Sequence, residues 1–130
     1  MARLILDTTV LVASERPGSR LNALVSDDDD VVIAAITAAE LLVGVHLADD
    51  THRERRAAFV DAVLSAIPIV DYDLDVARFH AGLLAHAQRS GRPRGAHDLL
   101  IAATAAATRR TIVSGDAAAF SDLPGVSHLP

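Results

Sequence analysis

The chain has 130 residues, 51% of them hydrophobic, so we expect one domain over residues 1–130 with a single core and a soluble, cytoplasmic location. It has no cysteine and all 12 of its basic residues are arginine, which excludes disulfide scaffolds, thiolate sites, P-loops and Schiff-base lysines. The net charge of −5 argues against nucleic-acid binding through bulk positive charge, and no apolar run is long enough for a membrane span.

The first predicted element is a buried strand, a short apolar run that stops at Asp7. In parallel sheets, ligands bind at the carboxyl ends of the strands, so this strand would deliver one carboxylate to that edge. A short helix over residues 8–14 should follow, break at Pro17 and Gly18, and resume over residues 21–25.

The acidic run at residues 27–30 is typical of a solvated loop, and a second buried strand is predicted over residues 31–36. The next helix should run to about Leu47. Thr37 and Glu40 have the spacing of a capping box at its start, in which each side chain bonds the backbone N–H of the other. Taken alone, that pairing is a sufficient structural account of Glu40.

A helix over residues 51–66 and a short strand at residues 69–70 come next. Asp73 is placed to cap a further helix over residues 74–89. The stretch 90–95 then reads as a rigid basic loop containing Arg92 and Arg94.

The helix predicted over residues 96–104 is so rich in alanine and apolar residues that it must be largely buried, which makes Asp98 in its first turn exceptional. A strand over residues 111–114 ends just before Asp116, a short helical turn covers residues 117–120, and an extended piece lies around Val126. The alternation of strands and helices predicts a three-layer α/β/α sandwich with a central parallel sheet.

Four acids therefore have similar predicted positions, at strand ends or in first helical turns: Asp7, Glu40, Asp98 and Asp116. Each could be a helix cap worth about 1 kcal/mol, but capping does not explain why four should converge. Carboxylate oxygens without thiols suit Mg²⁺ or Mn²⁺. The alternative is a non-catalytic α/β interaction module whose acids only cap helices.

Four sequence blocks carry a resemblance to a known family. They are LILDTTVL at residues 4–11, ITAAELLVG at 36–44, HDLLIAAT at 97–104 and VSGDAAAF at 113–120. In order and spacing they resemble the motifs of PIN-domain ribonucleases, and most of all the VapC toxins of bacterial VapBC toxin–antitoxin modules. One departure is Thr9, where the family usually has asparagine.

The resemblance implies an Mg²⁺-dependent endoribonuclease, with Mn²⁺ as a possible substitute, that cuts structured RNA such as tRNA or rRNA. Asp7, Asp98 and Asp116 would hold the metal, and Glu40 would bind it or orient water. Thr8 and Thr37 would support these acids. The implied partners are an RNA substrate, a cognate VapB-like antitoxin and a second copy of the chain in a homodimer, with no membrane.

Two groups outside the four acids are also candidates. Arg92 and Arg94 are predicted to contact the RNA backbone, because their loop leads directly to Asp98. His97 adjoins Asp98, but neighbouring residues on a helix point about 100° apart, so we interpret it as a surface or packing residue.

Overall fold

The computed structural model describes residues 1–16 and 26–129, so the predicted break at Pro17 and Gly18 and the helical segment 21–25 lie outside the described residues. The strands are β1 (Arg3–Leu6), β2 (Asp30–Ala34), β3 (Ile69–Val70), β4 (Thr111–Val113) and β5 (Ser127–His128). The helices are α1 (Thr8–Ser14), α2 (Ala35–Leu47), α3 (Arg53–Ala66), α4 (Leu74–Ser90) and α5 (Ala96–Thr108), and a 3₁₀ turn covers Ala117–Ala119.

The five strands form one parallel sheet in the order β3-β2-β1-β4-β5. The first strand, β1, therefore lies in the middle of the sheet. The chain then adds β2 and β3 on one side of β1, and β4 and β5 on the other side. Because strands are added first on one side of β1 and then on the other, the connections diverge and leave a crevice at the carboxyl ends of β1 and its neighbours. We call this end of the sheet the carboxyl edge.

Side chains alternate between the two faces of the sheet, as a period of two residues requires. Ile5, Val32 and Ile112 belong to a cluster that packs against α4 and α5. Leu4, Leu6, Ile33 and Val113 belong to a second cluster with α1, α2 and α3. Two buried cores with the sheet between them confirm the predicted three-layer α/β/α sandwich.

The start of α2 differs from the sequence prediction. β2 ends at Ala34 and α2 begins at the next residue, with Ala34 as a cap residue whose side chain makes no capping bond. Thr37 therefore lies inside the first turn, and the capping box predicted for Thr37 and Glu40 is wrong. The physical reason is that β2 runs straight into the helix, which leaves no residue between them to serve as a polar cap.

The prediction for α4 agrees with the structure. Asp73 is its N-cap, and its carboxylate accepts a hydrogen bond of 2.9 Å from the Val76 amide. α5 continues to Thr108, four residues beyond the predicted end. No helix in the described ranges 1–16 and 26–129 has the length and apolar character that crossing a membrane requires.

Candidate active site

Asp7 and Asp116 are brought together by the pairing of the two strands that precede them. β1 and β4 are neighbours, with Leu6 in register with Val113, and the Asp7 amide continues this pairing by donating to the Val113 carbonyl at 3.1 Å. Both acids follow the carboxyl ends of their strands. Asp7 and Asp116 therefore lie next to each other at the carboxyl edge of the sheet, where the sequence predicts both of them.

The Asp7 carboxylate is only 3% exposed and is held by two hydroxyl groups. Its Oδ1 atom accepts from the Thr9 hydroxyl at 2.6 Å and from the Val10 amide at 3.2 Å. Its Oδ2 atom accepts from the Ser114 hydroxyl. Such donors offset the cost of burying a polar side chain, and here they also fix the direction of the Asp7 carboxylate.

Glu40 joins this edge through contacts with two other segments. Its Oε1 atom accepts a hydrogen bond of 2.8 Å from the Thr8 hydroxyl at the start of α1. Its Oε2 atom lies 3.3 Å from the His97 Nδ1 atom at the start of α5. His97 is exposed, as its interpretation as a surface residue requires, and it also faces another of the four acids.

Asp98 lies in the first turn of α5, which begins at the carboxyl edge because it leads back to the start of β4. Its side chain folds over the N-cap residue Gly95, where an added Cβ atom would lie 2.6 Å from the Asp98 Oδ2 atom. Gly95 therefore leaves the space that this carboxylate occupies.

The pKa of Asp98 is raised above its usual value of 3.8. The first cause is partial burial, and the next are the negative charges of Asp7, Asp116 and Glu40, which His97 offsets in part. The carboxylates of Asp7, Glu40 and Asp116 are therefore near enough to Asp98 for their charges to act on it. The four segments contribute to one acidic region at the carboxyl edge.

Helix capping accounts for only one of the four acids. Asp7 caps α1 through the Val10 amide. Among the described residues, no side chain makes a capping bond at the start of α2, of α5 or of the 3₁₀ turn that follows Asp116. Glu40, Asp98 and Asp116 therefore gain no capping energy that would offset their mutual repulsion.

The donor set fits a hard divalent cation in chemistry, since it consists of carboxylate oxygens with neighbouring hydroxyl groups. Within residues 1–16 and 26–129, no three acidic or histidine side chains are already gathered closely enough to coordinate one ion.

The remaining predicted site residues have different environments. Thr37 is fully buried, and its hydroxyl has no hydrogen-bond partner among the described residues. The Arg94 guanidinium donates to the Ala119 and Ser121 carbonyls at 3.3 and 2.8 Å, so it ties the loop before α5 to the end of the 3₁₀ turn and the residues that follow it. Arg92 is more exposed and pairs with Asp122 at 3.3 Å.

Three contributors to the site were missed in the sequence: Ser114, Gly95 and the hydroxyl of Thr9. Ser114 precedes Asp116 by two residues and Gly95 precedes Asp98 by three, so both lie within the blocks or loops that carry the acids. A small or hydroxyl-bearing residue beside a predicted ligand is the only signal that could have identified them.

The chain is similar to known proteins over most of its length. The family model of the PIN domain matches residues 4–126. Ribonuclease VapC5 of Mycobacterium tuberculosis is 36% identical over 115 residues, which covers 86% of this chain and 82% of the relative. The tRNA(fMet)-specific endonuclease VapC of Shigella flexneri is 27% identical over 128 residues, covering 97% and 96% respectively.

The fold is similar to that of a solved toxin–antitoxin complex. The crystal structure of VapBC2 from Rickettsia felis, bound to a DNA fragment from its promoter, contains a chain that superposes with a TM-score of 0.87 at 26% identity. The match covers 98% of this chain and 97% of that one. The similarity therefore extends over both halves of the sheet and all four acidic segments.

Proposed function

The chain belongs to the PIN-domain family and, within it, to the VapC ribonucleases of VapBC toxin–antitoxin modules, and from this we propose that it is a metal-dependent endoribonuclease acting on structured RNA. The observation that supports the proposal is the raised pKa of Asp98 at the carboxyl edge, which is caused by partial burial and then by the negative charges of Asp7, Asp116 and Glu40. A bound cation would offset this repulsion.

In the proposed reaction, Asp7, Asp98 and Asp116 would hold Mg²⁺ or Mn²⁺, and Glu40 would bind the cation or orient water. When bound, the cation would supply Lewis-acid activation of water and neutralise charge on the scissile phosphate. Asp7 is fixed by its hydroxyl donors and would provide the rigid ligand. Glu40 is held at both oxygens, by Thr8 and His97, which fixes its orientation.

The proposed substrate is structured RNA, with tRNA as the first class to test. The VapC relative from Shigella flexneri is a tRNA(fMet)-specific endonuclease, and its similarity covers 97% of this chain. Because the net charge is −5, RNA binding must depend on a few local contacts with cationic side chains and not on the overall electrostatic potential of the protein. Arg92 fits this role better than Arg94, whose guanidinium is already engaged by two carbonyls.

The proposed protein partner is a VapB-like antitoxin that silences the nuclease. Support comes from the Rickettsia felis neighbour, which is a VapBC complex. An antitoxin arginine entering the acidic site would pair with carboxylates that have no cation, and such charge-assisted pairs are strong. We therefore expect antitoxin and Mn²⁺ to compete for the site.

We also propose a homodimer. Large apolar side chains are exposed in and after β3 and on α4: Ile69, Tyr72, Leu74, Phe79 and Leu84. An open apolar groove of about 420 Å³ lies beside them, lined in part by Val70 and Tyr72. Light scattering during gel filtration should give twice the chain mass of 13.6 kDa, and Tyr72→Arg should shift the protein towards the monomer.

The function is tested with purified protein, a tRNA and rRNA mixture, and the variants Asp98→Ala and Asp75→Ala. Asp75 is a matched control because it is also an acid in the first turn of a helix, α4. We expect cleavage by the wild type and by Asp75→Ala in Mg²⁺, and none by Asp98→Ala or in EDTA. Cleavage that survives EDTA, or that Asp98→Ala retains, would refute the proposed metal site.

A further inference from the structure

Two hydroxyl groups connect the Asp7 carboxylate to the loop that carries Asp116. Beyond the donor contacts to Asp7, the Thr9 hydroxyl oxygen accepts from the Gly115 amide at 2.8 Å. The Ser114 hydroxyl oxygen accepts from the Asp116 amide, also at 2.8 Å. Two consecutive amides of this loop are thus bound through hydroxyl groups to the two oxygens of one carboxylate.

The Asp116 side chain has no comparable anchor among the described residues. It is exposed, it precedes a 3₁₀ turn of only three residues, and it makes no capping bond there. The Asp116 amide does donate to Ser114, so the backbone of this loop is what locates the residue. The pairing of β1 and β4 brings Asp116 near Asp7, and the hydroxyl bridges tie the backbone of its loop to the Asp7 carboxylate.

Gly115 and Thr9 are also in close contact. A methyl group at Gly115 would lie 3.2 Å from the Thr9 Oγ1 atom and 3.5 Å from its Cβ atom. The loop therefore packs directly on Thr9, and the bridge is short because position 115 has no side chain.

We propose that Thr9 is a positioning residue, whose hydroxyl group bridges the Asp7 carboxylate and the Gly115 amide and thereby holds Asp116 where it can join Asp7 as a metal ligand. Thr9 acts through Asp116 and does not itself touch metal or substrate. The inference rests on the proposed function for the identity of the ligand, but the bridge is a property of the protein alone.

The bridge is tested first in metal-free protein, by hydrogen exchange of backbone amides measured with NMR. Thr9→Val keeps the shape of the side chain and removes its hydroxyl, whereas Thr9→Ser keeps the hydroxyl. We expect the Gly115 amide to exchange faster in Thr9→Val and at the wild-type rate in Thr9→Ser. Unchanged exchange in Thr9→Val would overturn the inference, whether or not the protein binds metal.

The consequence for metal binding is tested with a double-mutant cycle, in which Mn²⁺ affinity is measured by electron paramagnetic resonance. Loss of one hydrogen bond should raise the Mn²⁺ Kd of Thr9→Val roughly threefold to tenfold over wild type. In the Asp116→Asn background the same substitution should change Kd less than about twofold. Equal losses in both backgrounds would mean that Thr9 acts on Asp7 alone, which contradicts the proposal.

The two measurements separate this inference from the proposed function. If the wild type binds no Mn²⁺, the metal site fails, and the exchange rate of the Gly115 amide still decides whether the bridge exists. If Mn²⁺ binds with the expected dependence on Asp98 while Thr9→Val retains full affinity, the metal site stands and the role of Thr9 is wrong.

Discussion

Glu40 and His97 meet between α2 and α5, where the Glu40 Oε2 atom lies 3.3 Å from the His97 Nδ1 atom. Thr8 holds the other oxygen of the same carboxylate. Glu40 is therefore oriented by groups from two segments other than its own, and its direction is set by tertiary structure and not by the rotamer preference of a lone side chain.

We predict that His97→Ala lowers kcat for RNA cleavage about fivefold with little change in KM, because one contact worth about 1 kcal/mol no longer orients Glu40. His46→Ala, an exposed position on the same helix as Glu40, is the control and should behave as wild type. Steady-state kinetics on a defined RNA provide the measurement. A rise in KM alone would indicate that His97 contacts substrate instead.

The raised pKa of Asp98 predicts how stability changes with pH in metal-free protein. The folded protein holds the Asp98 proton more tightly than the unfolded chain does. The contribution of Asp98 to the free energy of unfolding is therefore fully present below pH 3.8 and is lost as the pH rises through the raised pKa. Asp98→Asn should therefore stabilise the protein at neutral pH and have no effect in acid.

The difference in the free energy of unfolding between Asp98→Asn and wild type is measured by urea unfolding in EDTA, from about pH 3 to about pH 8. Asp75→Asn controls for the loss of an acid from a first helical turn and should not show the same pH dependence. A constant difference between Asp98→Asn and wild type at every pH would contradict the repulsion that we assign to the four acids.

Gly95→Ala should displace the Asp98 carboxylate, because the new Cβ atom would lie 2.6 Å from Oδ2 and 3.3 Å from Cγ. Misplacement of a reacting group by about 1 Å can reduce rates a hundredfold, so we expect cleavage to fall at least tenfold. The rise in melting temperature caused by Mn²⁺ should shrink as well.

Gly82→Ala is the matched control, since it lies within α4 and an added Cβ atom there meets no atom of the described residues within 4 Å. It should stabilise the protein by about 0.5–1 kcal/mol and leave cleavage unchanged. Wild-type cleavage by Gly95→Ala would show that Asp98 can take another orientation at no cost to activity.

Substitutions of Arg92 and Arg94 should differ in their effect on the free energy of unfolding. Arg94→Ala removes two hydrogen bonds to carbonyls and should lower the free energy of unfolding by about 1–3 kcal/mol. Arg92 forms an exposed ion pair, so Arg92→Ala should change stability by less than about 1 kcal/mol. Chemical denaturation measures both.

Arg92→Glu should weaken RNA binding and reduce its salt dependence, whereas metal affinity should stay close to wild type. Arg78→Glu makes the same charge change at an exposed position on α4 and controls for net charge. RNA binding is measured at several salt concentrations with the non-cleaving Asp98→Ala protein. Equal weakening by both variants would mean that Arg92 has no specific role.

Thr37→Val replaces a buried hydroxyl that has no partner among the described residues by a methyl group of similar size. We expect the free energy of unfolding to rise by about 1–2 kcal/mol, with cleavage unchanged. Thermal and chemical denaturation together with a cleavage assay provide the test. A loss of cleavage would show instead that Thr37 supports Glu40, as the sequence resemblance implies.

The fold could be predicted from local patterns because each pattern has one physical cause. Apolar runs that stop at Asp7 and before Asp116 are typical of strands buried on both faces, and Asp73 is an ordinary cap. The start of α2 could not be predicted in this way. A residue spacing that matches a capping box does not show whether an earlier residue has already entered the helix.

The acids of the site could be identified, but their supporting contacts could not. The bonds from Thr8 to Glu40 and from Ser114 to Asp7 join residues 32 and 107 positions apart, respectively. Such contacts depend on strand order, which the sequence pattern leaves open. His97 illustrates the same limit, because its exposed position could be predicted whereas the presence of Glu40 beside it could not.

The direct passage from Ala34 at the end of β2 to Ala35 at the start of α2 also restricts how this chain can evolve. An insertion of one residue there would turn Glu40 by about 100° around the helix axis and away from Thr8 and His97. A deletion would turn it by the same angle in the other direction. The contacts of Glu40 therefore depend on the number of residues between Ala34 and Glu40 as well as on the glutamate itself.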